Sequence, residues 1–268
     1  MKIHVGTSGF AYKEWKGKFY PATAAPGEML RFYAEHFHSV EINNTFYRMP
    51  TERVLHSWAQ QVPVDFVFAF KAPRAITHRK RLRDAHEEVA YLFRVLSSLG
   101  DRLGPVLFQL PASVRADLSV LREFLALIPD GRDCAFEFRS PTWLADDVLG
   151  LLRNRKACLC TADTDGNPAE GILPTASWGY LRLRRSDYTE ADLAWWLDRV
   201  VAQKWDRAFV FFKHEDEGKA PAINGVRTFS GSVLLLEWAL SILGVGFTRF
   251  MLRLLQSRAI APAEARRL

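Results

Sequence analysis

Eight short apolar runs, most of them ending in a charged or amide side chain, constrain this 268-residue chain more than any other feature. They are Ile3–Val5, Val40–Tyr47, Phe66–Lys71, Val106–Gln109, Ala135–Arg139, Leu159–Asp163, Tyr180–Arg184 and Ala208–Lys213. Each has the length and composition of a β-strand. Helix-like patterns fill six of the seven intervals between them. Alternating β and α elements predict a TIM-like (β/α)8 parallel barrel. Chemistry in such barrels sits where the strands end, so the polar residues there are the candidates for function.

A barrel takes about 250 residues, and no Ser/Gly-rich linker or charge block divides the chain. We therefore expect one barrel domain over residues 1–222, with 223–268 as a C-terminal helix and tail packed on it or partly frayed. Within that tail Val233–Phe247 is strongly apolar, but it is 15 residues long and contains Glu237. It is too short for a membrane span, and no membrane partner is expected. The formal charge of +6 favours anionic partners, although a surplus of that size also serves solubility. Three cysteines, Cys134, Cys158 and Cys160, are too few and too closely spaced for a disulfide framework or a zinc site. They read as small hydrophobes in strands. Met1-Lys2-Ile3-His4-Val5 enters a strand with no apolar leader before it, so a cytoplasmic protein is expected.

Alternation sorts each strand into an interior and a helix-facing set. Val40, Ile42 and Phe46 read as outward, with Glu41, Asn43, Thr45 and Tyr47 inward. Phe66, Phe68 and Phe70 read as outward, with Val67, Ala69 and Lys71 inward. Inward sets elsewhere hold Leu107 and Gln109, then Ala135, Glu137 and Arg139, then Leu159, Thr161 and Asp163. Tyr180, Arg182 and Arg184 follow, and finally Phe209, Phe211 and Lys213. The interior charge inventory is thus Glu41, Glu137 and Asp163 against Lys71, Arg139, Arg182, Arg184 and Lys213. Burying unpaired charge costs several kcal/mol per group, so these residues pair, line a solvated mouth, or do both. A surplus of two cations suits a carboxylate or phosphate ligand.

Helices are expected over Glu28–His38, Ala85–Leu99, Asp146–Arg155 with Thr142 as its cap, and Leu193–Val201. Thr189-Glu190-Ala191-Asp192 is a capping signature for the last. Asp165-Gly166-Asn167-Pro168 and Pro174 predict irregular structure between the sixth and seventh strands.

The chain also resembles the YecE-like family, domain of unknown function 72. The opening match is Gly6-Thr7-Ser8-Gly9-Phe10 with Tyr12, Trp15, Gly17 and Phe19-Tyr20-Pro21. It continues through Val40-Glu41-Ile42-Asn43-Asn44-Thr45-Phe46-Tyr47-Arg48, Pro50, Phe68, Lys71 and Thr77-His78. Gln109-Leu110-Pro111, Glu137-x-Arg139 with Trp143, and Asp163 extend it. The resemblance implies a TIM-like barrel and supplies no reaction. Two departures stand out. Tyr180-x-Arg182 runs into Leu183-Arg184-Arg185 where such proteins often have a His-Gly-like turn. The eighth strand ends in Phe212-Lys213-His214-Glu215-Asp216-Glu217 in place of an Asn-rich segment.

The reading that follows is a barrel enzyme acting on a small polar, anionic substrate (phosphorylated, carboxylated or sugar-like) by carboxylate acid/base chemistry. Hydrolase, isomerase and lyase activities are not distinguished. Glu41, Glu137 and Asp163 are the candidate catalytic carboxylates. Candidate substrate contacts are Asn43, Tyr47, Lys71, His78, Gln109, Arg139, Trp143, Arg182 and Lys213. Trp15, Tyr47 and Trp143 could stack on a sugar or base. A divalent metal is the cofactor to consider, since Glu41, His78, Glu137, Asp163 and His214 are suitable ligand types. No H-x-H, H-E-x-x-H or C-x-x-C spacing groups them, so no metal ligand is assigned. The alternative reading is a nucleic-acid-binding, endonuclease-like barrel that uses the basic run His78-Arg79-Lys80-Arg81-Leu82-Arg83.

Overall fold

The computed structural model of the protein describes residues 1–186 and 188–212. Lys213, His214 and residues 223–268 lie outside the described residues. The strands are β1 (Lys2–Thr7), β2 (Ser39–Ile42), β3 (Val67–Lys71), β4 (Leu103–Gln109) and β5 (Cys134–Glu137). They continue with β6 (Cys158–Leu159), β7 (Thr161–Asp163), β8 (Trp178–Leu183) and β9 (Arg207–Phe212). Every pairing is parallel, in the orders β2-β3-β4-β5-β6 and β1-β9-β8-β7.

Two seams join these sheets into a ring. Cys160 alone separates β6 from β7 in the chain, and its N–H donates to the Phe136 carbonyl at 2.8 Å. At the other seam Ser8, just past β1, bridges Glu41 of β2. The eight runs therefore become eight staves, the sixth carried by β6 and β7 in succession. Gly6 is required at the β1–β2 seam, because a Cβ there would stand 2.0 Å from the Ser39 carbonyl oxygen.

The outward side chains Val40, Ile42, Phe66, Phe68, Phe70, Phe108 and Phe136 share one core with helical residues such as Leu55, Leu92 and Phe124. A second, interior core holds Ala69, Leu107, Ala135, Cys158 and Cys160 against Trp178, Tyr180, Phe209 and Phe211. Mostly small residues on β3, β5 and β6, with Leu107 on β4, thus face large aromatics on β8 and β9.

Two face assignments change. Strand β2 stops at Ile42, and a tight turn over Asn44–Phe46 follows. The Thr45 hydroxyl donates to the Ile42 carbonyl (3.0 Å) and to the Lys71 carbonyl (2.6 Å), bending the chain over the end of β3. Alternation therefore fails for Asn43, Thr45, Phe46 and Tyr47. In the sixth stave Cys158 and Cys160 occupy the interior and Leu159 joins the outer core. This turns Asp163 away from the barrel axis. Both faces of that run carry small side chains, so its pattern had little contrast.

The helices are α1 (Met29–Ala34), α2 (Glu52–Ala59), α3 (His86–Leu96), α4 (Leu118–Leu127), α5 (Asp146–Asn154) and α6 (Glu190–Val201). Helix α6 carries the expected capping box between Thr189 and Asp192. Thr142 does not cap α5; its hydroxyl accepts from the Ala116 N–H at 3.0 Å and contacts Ser140. The segment from Thr164 to Ser177 contains no helix, as its Gly and Pro residues predict. Among the described residues no helix is long and apolar enough to cross a membrane.

Candidate active site at the barrel mouth

The C-terminal ends of the strands converge on a buried ion network. Arg182, 1% exposed, reaches from β8 between two carboxylates. Its guanidinium donates to Glu137 at 2.6 Å and to Glu41 at 2.9 Å. Glu41 also accepts from the Ser8 hydroxyl (2.8 Å) and the Tyr180 hydroxyl (2.7 Å). Glu137 accepts from the Gln109 amide (2.7 Å) and from Arg139 Nε (3.3 Å). All four carboxylate oxygens are therefore occupied. Burial by itself would raise both acids, but Arg182 outweighs it. With Arg184 it holds Glu41 below the usual carboxylate range. With Arg139 and Gln109 it holds Glu137 at about 2.

Lys71 stands beside this network at the end of β3. Its ammonium lies 4.2 Å from the centre of the Phe46 ring and makes no hydrogen bond or ion pair among the described residues. Burial lowers its pKa to about 8, and the Arg182 and Arg184 charges add to the shift while Glu137 and Glu41 oppose it. His78 packs edge-on against the same Phe46 ring at 4.8 Å, and its Nδ1 is 2.9 Å from the Thr77 hydroxyl. Burial, then Lys71 and Arg139, lowers the His78 pKa. The Arg139 side chain is 51% exposed, and its terminal nitrogens make no hydrogen bond among the described residues. Arg184 Nη1 donates to the Ser8 hydroxyl at 3.3 Å. The mouth thus sets Lys71, Arg139, Arg182 and Arg184 against Glu41 and Glu137. Asp163 has left the inventory, Lys213 lies outside the described residues, and among the described residues of the mouth the cations outnumber the carboxylates by two.

The structure brings Glu41, Glu137, Lys71, His78, Gln109, Arg139 and Arg182 together and places Asp163, Asn43, Tyr47 and Trp143 elsewhere. Asp163 belongs to another network: it accepts from Arg185 (3.0 Å), Tyr188 (2.9 Å), Trp196 (3.2 Å) and the Ala169 N–H (3.0 Å). It ties β7 to α6, because the reversed alternation of its stave points it outward. Asn43 lines a cleft outside the strands, since β2 ends before it. Tyr47 is 75% exposed on the rim, with Arg74 6.0 Å from its ring. Trp143 is no stacking platform, being 1% exposed, stacked on Phe138 at 4.4 Å and hydrogen-bonded to the Val114 carbonyl. Trp15 is likewise buried, among Tyr12, Phe19 and Tyr20. Lys213 and His214 lie outside the described residues.

Three residues of the site, though they stand in the family motifs, are not among the candidate site residues. Phe46 read as helix-facing, yet the Asn44–Phe46 turn swings it over Lys71 and His78. Ser8 lies beyond its strand, and only barrel closure brings it to Glu41. Tyr180 read as interior filling, yet its hydroxyl is a ligand of Glu41. Among the described residues no three His, Cys, Asp or Glu side chains form a group that could hold a metal ion.

Comparison with known proteins bears on this arrangement. The family model described as "Protein of unknown function DUF72" matches residues 4–226. The UPF0759 protein YecE of Escherichia coli (strain K12) is 36% identical over 117 residues. That match covers 43% of this chain and spans 43% of the relative's length. A DUF72 family protein from Thermotoga maritima has a solved structure similar at a TM-score of 0.74 and 24% identity, covering 91% of this chain and 100% of its own. D-psicose 3-epimerase from Clostridium cellulolyticum H10 is similar at a TM-score of 0.53 and 12% identity, over 93% and 99% of the two chains. These two likenesses concern the fold, and both agree with a parallel α/β barrel.

Proposed function

The chain belongs to the DUF72 family, and within that fold we propose that the barrel mouth is an enzyme active site for a small anionic substrate, with Lys71 as the group that moves the proton. One observation carries this reading. Among the described residues the Lys71 amine has no hydrogen bond or ion pair, and the oxygens of its neighbours Glu41 and Glu137 each already accept a hydrogen bond. An ammonium that ionises near pH 8 can give or take a proton close to neutrality, which is the tuning general acid/base catalysis needs. Glu41 and Glu137, which as a strand-end pair suggested carboxylate acid/base chemistry, are held ionised and sealed by Arg182. They support the site by anchoring that guanidinium. Arg139, half exposed and with no hydrogen bond at its terminal nitrogens among the described residues, is the group suited to fork onto a phosphate or carboxylate.

Calorimetric titration with inorganic phosphate and with citrate tests the anion site. Lys71→Met and Arg139→Ala should each weaken binding at least tenfold, and wild-type binding should weaken as pH rises through 8. Unchanged binding in both variants would remove Lys71 and Arg139 from the site. Deuterium exchange from solvent into a panel of phosphorylated and carboxylated compounds tests the chemistry. Lys71→Arg should keep anion binding and lose exchange. The nucleic-acid alternative draws on exposed Arg79, Arg81 and Arg83, although Arg83 pairs with Asp117 and Lys80 pairs with Glu88. Oligonucleotide binding that falls steeply with salt, alongside no affinity for phosphate or citrate, would favour it.

A further inference from the structure

A lysine amine can do more than move a proton: without its own proton it is a nucleophile. The surroundings of Lys71 suit that second chemistry. Its backbone is fixed at the end of β3, where its carbonyl accepts from the Thr45 hydroxyl at 2.6 Å. The next N–H, that of Ala72, donates to the Leu107 carbonyl at 2.8 Å. The side chain lies against the Phe46 ring. Lys71 keeps part of its surface in solvent, and its amine is not among the polar atoms shut away without a partner. A molecule entering the mouth can therefore touch it.

A lysine this close to carboxylates ordinarily takes one as its partner. Here Ser8, Tyr180, Gln109, Arg139 and Arg182 already occupy the oxygens of Glu41 and Glu137. Burial, with the Arg182 and Arg184 charges, disfavours a proton on Lys71. Desolvation and neighbouring cations are what turn a lysine into a nucleophile towards carbonyl carbon. His78 packs on the same Phe46 ring. Burial, then Lys71 and Arg139, keeps its imidazole neutral at pH 7, and a neutral imidazole both gives and accepts a proton. Arg139, half exposed at the same mouth, can hold an anion.

We propose that Lys71 forms a Schiff base with a small ketone or aldehyde that also carries a carboxylate or phosphate. The inference rests on the reading of the mouth as an anion site and names the substrate class within it. The Nζ lone pair forms the N–C bond while the C=O pair moves onto oxygen, and one proton passes from nitrogen to that oxygen. The remaining nitrogen pair then closes C=N. The C–O bond breaks as the oxygen takes a second proton, relayed from solvent by His78, and leaves as water. No oxidant or reductant is needed. The iminium accepts the electron pair of an adjacent C–H bond as His78 takes its proton, so exchange into such a substrate also depends on Lys71.

Pyruvate and dihydroxyacetone phosphate pair the carbonyl with each of the two anions, whereas lactate lacks the carbonyl and acetone lacks the anion. The whole chain is equilibrated with each probe at equal concentration, reduced with borohydride, digested and mapped by mass spectrometry. Pyruvate or dihydroxyacetone phosphate should leave a reduced adduct on Lys71 at least tenfold above that on any other lysine, and the better of the two identifies the anion. Lactate should leave none, and acetone at least tenfold less. Arg139→Ala should lower the adduct about tenfold, and Lys71→Arg should abolish it. The comparison among lysines is made within the wild-type chain, so it does not depend on a variant folding. Labelling of Lys71 no stronger than that of surface lysines, or equal labelling by acetone, would overturn the proposal. If no adduct forms while phosphate and citrate bind, the Schiff base is wrong and the anion site stands. If those anions do not bind either, both readings are wrong.

Discussion

Arg182 is the side chain on which the top of the barrel depends. It is buried between two carboxylates, and removing one partner of such a pair strands charge in low dielectric at a cost of about 3–5 kcal/mol. Arg182→Met should lower the unfolding free energy by that order in urea denaturation. Arg139→Met should change it by less than about 1 kcal/mol, since the Arg139 side chain is half in solvent and Glu137 keeps Arg182 and Gln109. Lys71 is the opposite case, a charge held in a semi-buried place with no paired anion among the described residues. Its folded pKa lies below the unfolded value, so the unfolded chain binds more protons between about pH 8 and 10.5, and this group makes stability rise with pH in that window. Lys71→Met should flatten that rise. At pH 7 it should raise the melting temperature by about 2–4 °C, the response of a domain this size to 1 kcal/mol, while phosphate binding is lost. Alternation alone turned Glu41, Glu137, Lys71 and Arg182 inward. It did not say which carboxylate each cation would take, because partners lie up to 141 positions apart.

At the scale of elements, the local signals that survived are those whose partners lie within a turn. The Thr189 capping box on α6 is one. Thr189→Ala should cost about 1 kcal/mol, measurable as a lower melting temperature. Helix α6 is also tied to β7 through Arg185, which pairs with Asp192 at 2.9 Å and with Asp163 at 3.0 Å. The closing seam rests on Gly6. Gly6→Ala would push a methyl into the Ser39 carbonyl and part β1 from β2. A loss of about 3 kcal/mol is expected from overpacking of this kind, with faster amide exchange at Ser8 and Glu41 as the local readout. The early end of β2 was not legible. The run Val40–Tyr47 alternates like one long strand, and the turn that breaks it is held by the Lys71 carbonyl, 26 residues away.

For the whole molecule, the two ends of the barrel titrate in different windows. At the N-terminal end His4 is buried and stacks on Phe209 at 4.7 Å. Burial, with the Lys2, Arg207 and His38 charges, lowers its pKa to about 4. The unfolded chain therefore binds the extra proton between pH 6.5 and 4, and stability falls as pH drops through that range. His4→Phe should keep the stack and flatten the fall. Glu137 at the mouth acts lower, contributing stability above its ordinary pKa of 4.5 that is lost as pH falls towards 2. That second loss should persist in His4→Phe when stability is followed against pH.

The sequence by itself determined the eight staves, their parallel sense and the inward turn of most charged strand ends. These follow from chemical periodicity and chain connectivity, which act over neighbouring residues. Only the tertiary structure decided that Asp163 leaves the centre, that Phe46 enters it, and that the carboxylates are sealed by Arg182 while Lys71 has no ion pair among the described residues. It also decided that Asn43 lines a cleft outside the strands. Each of those outcomes depends on which distant atoms ring closure brings within hydrogen-bond reach, and no pattern along one strand contains that distance.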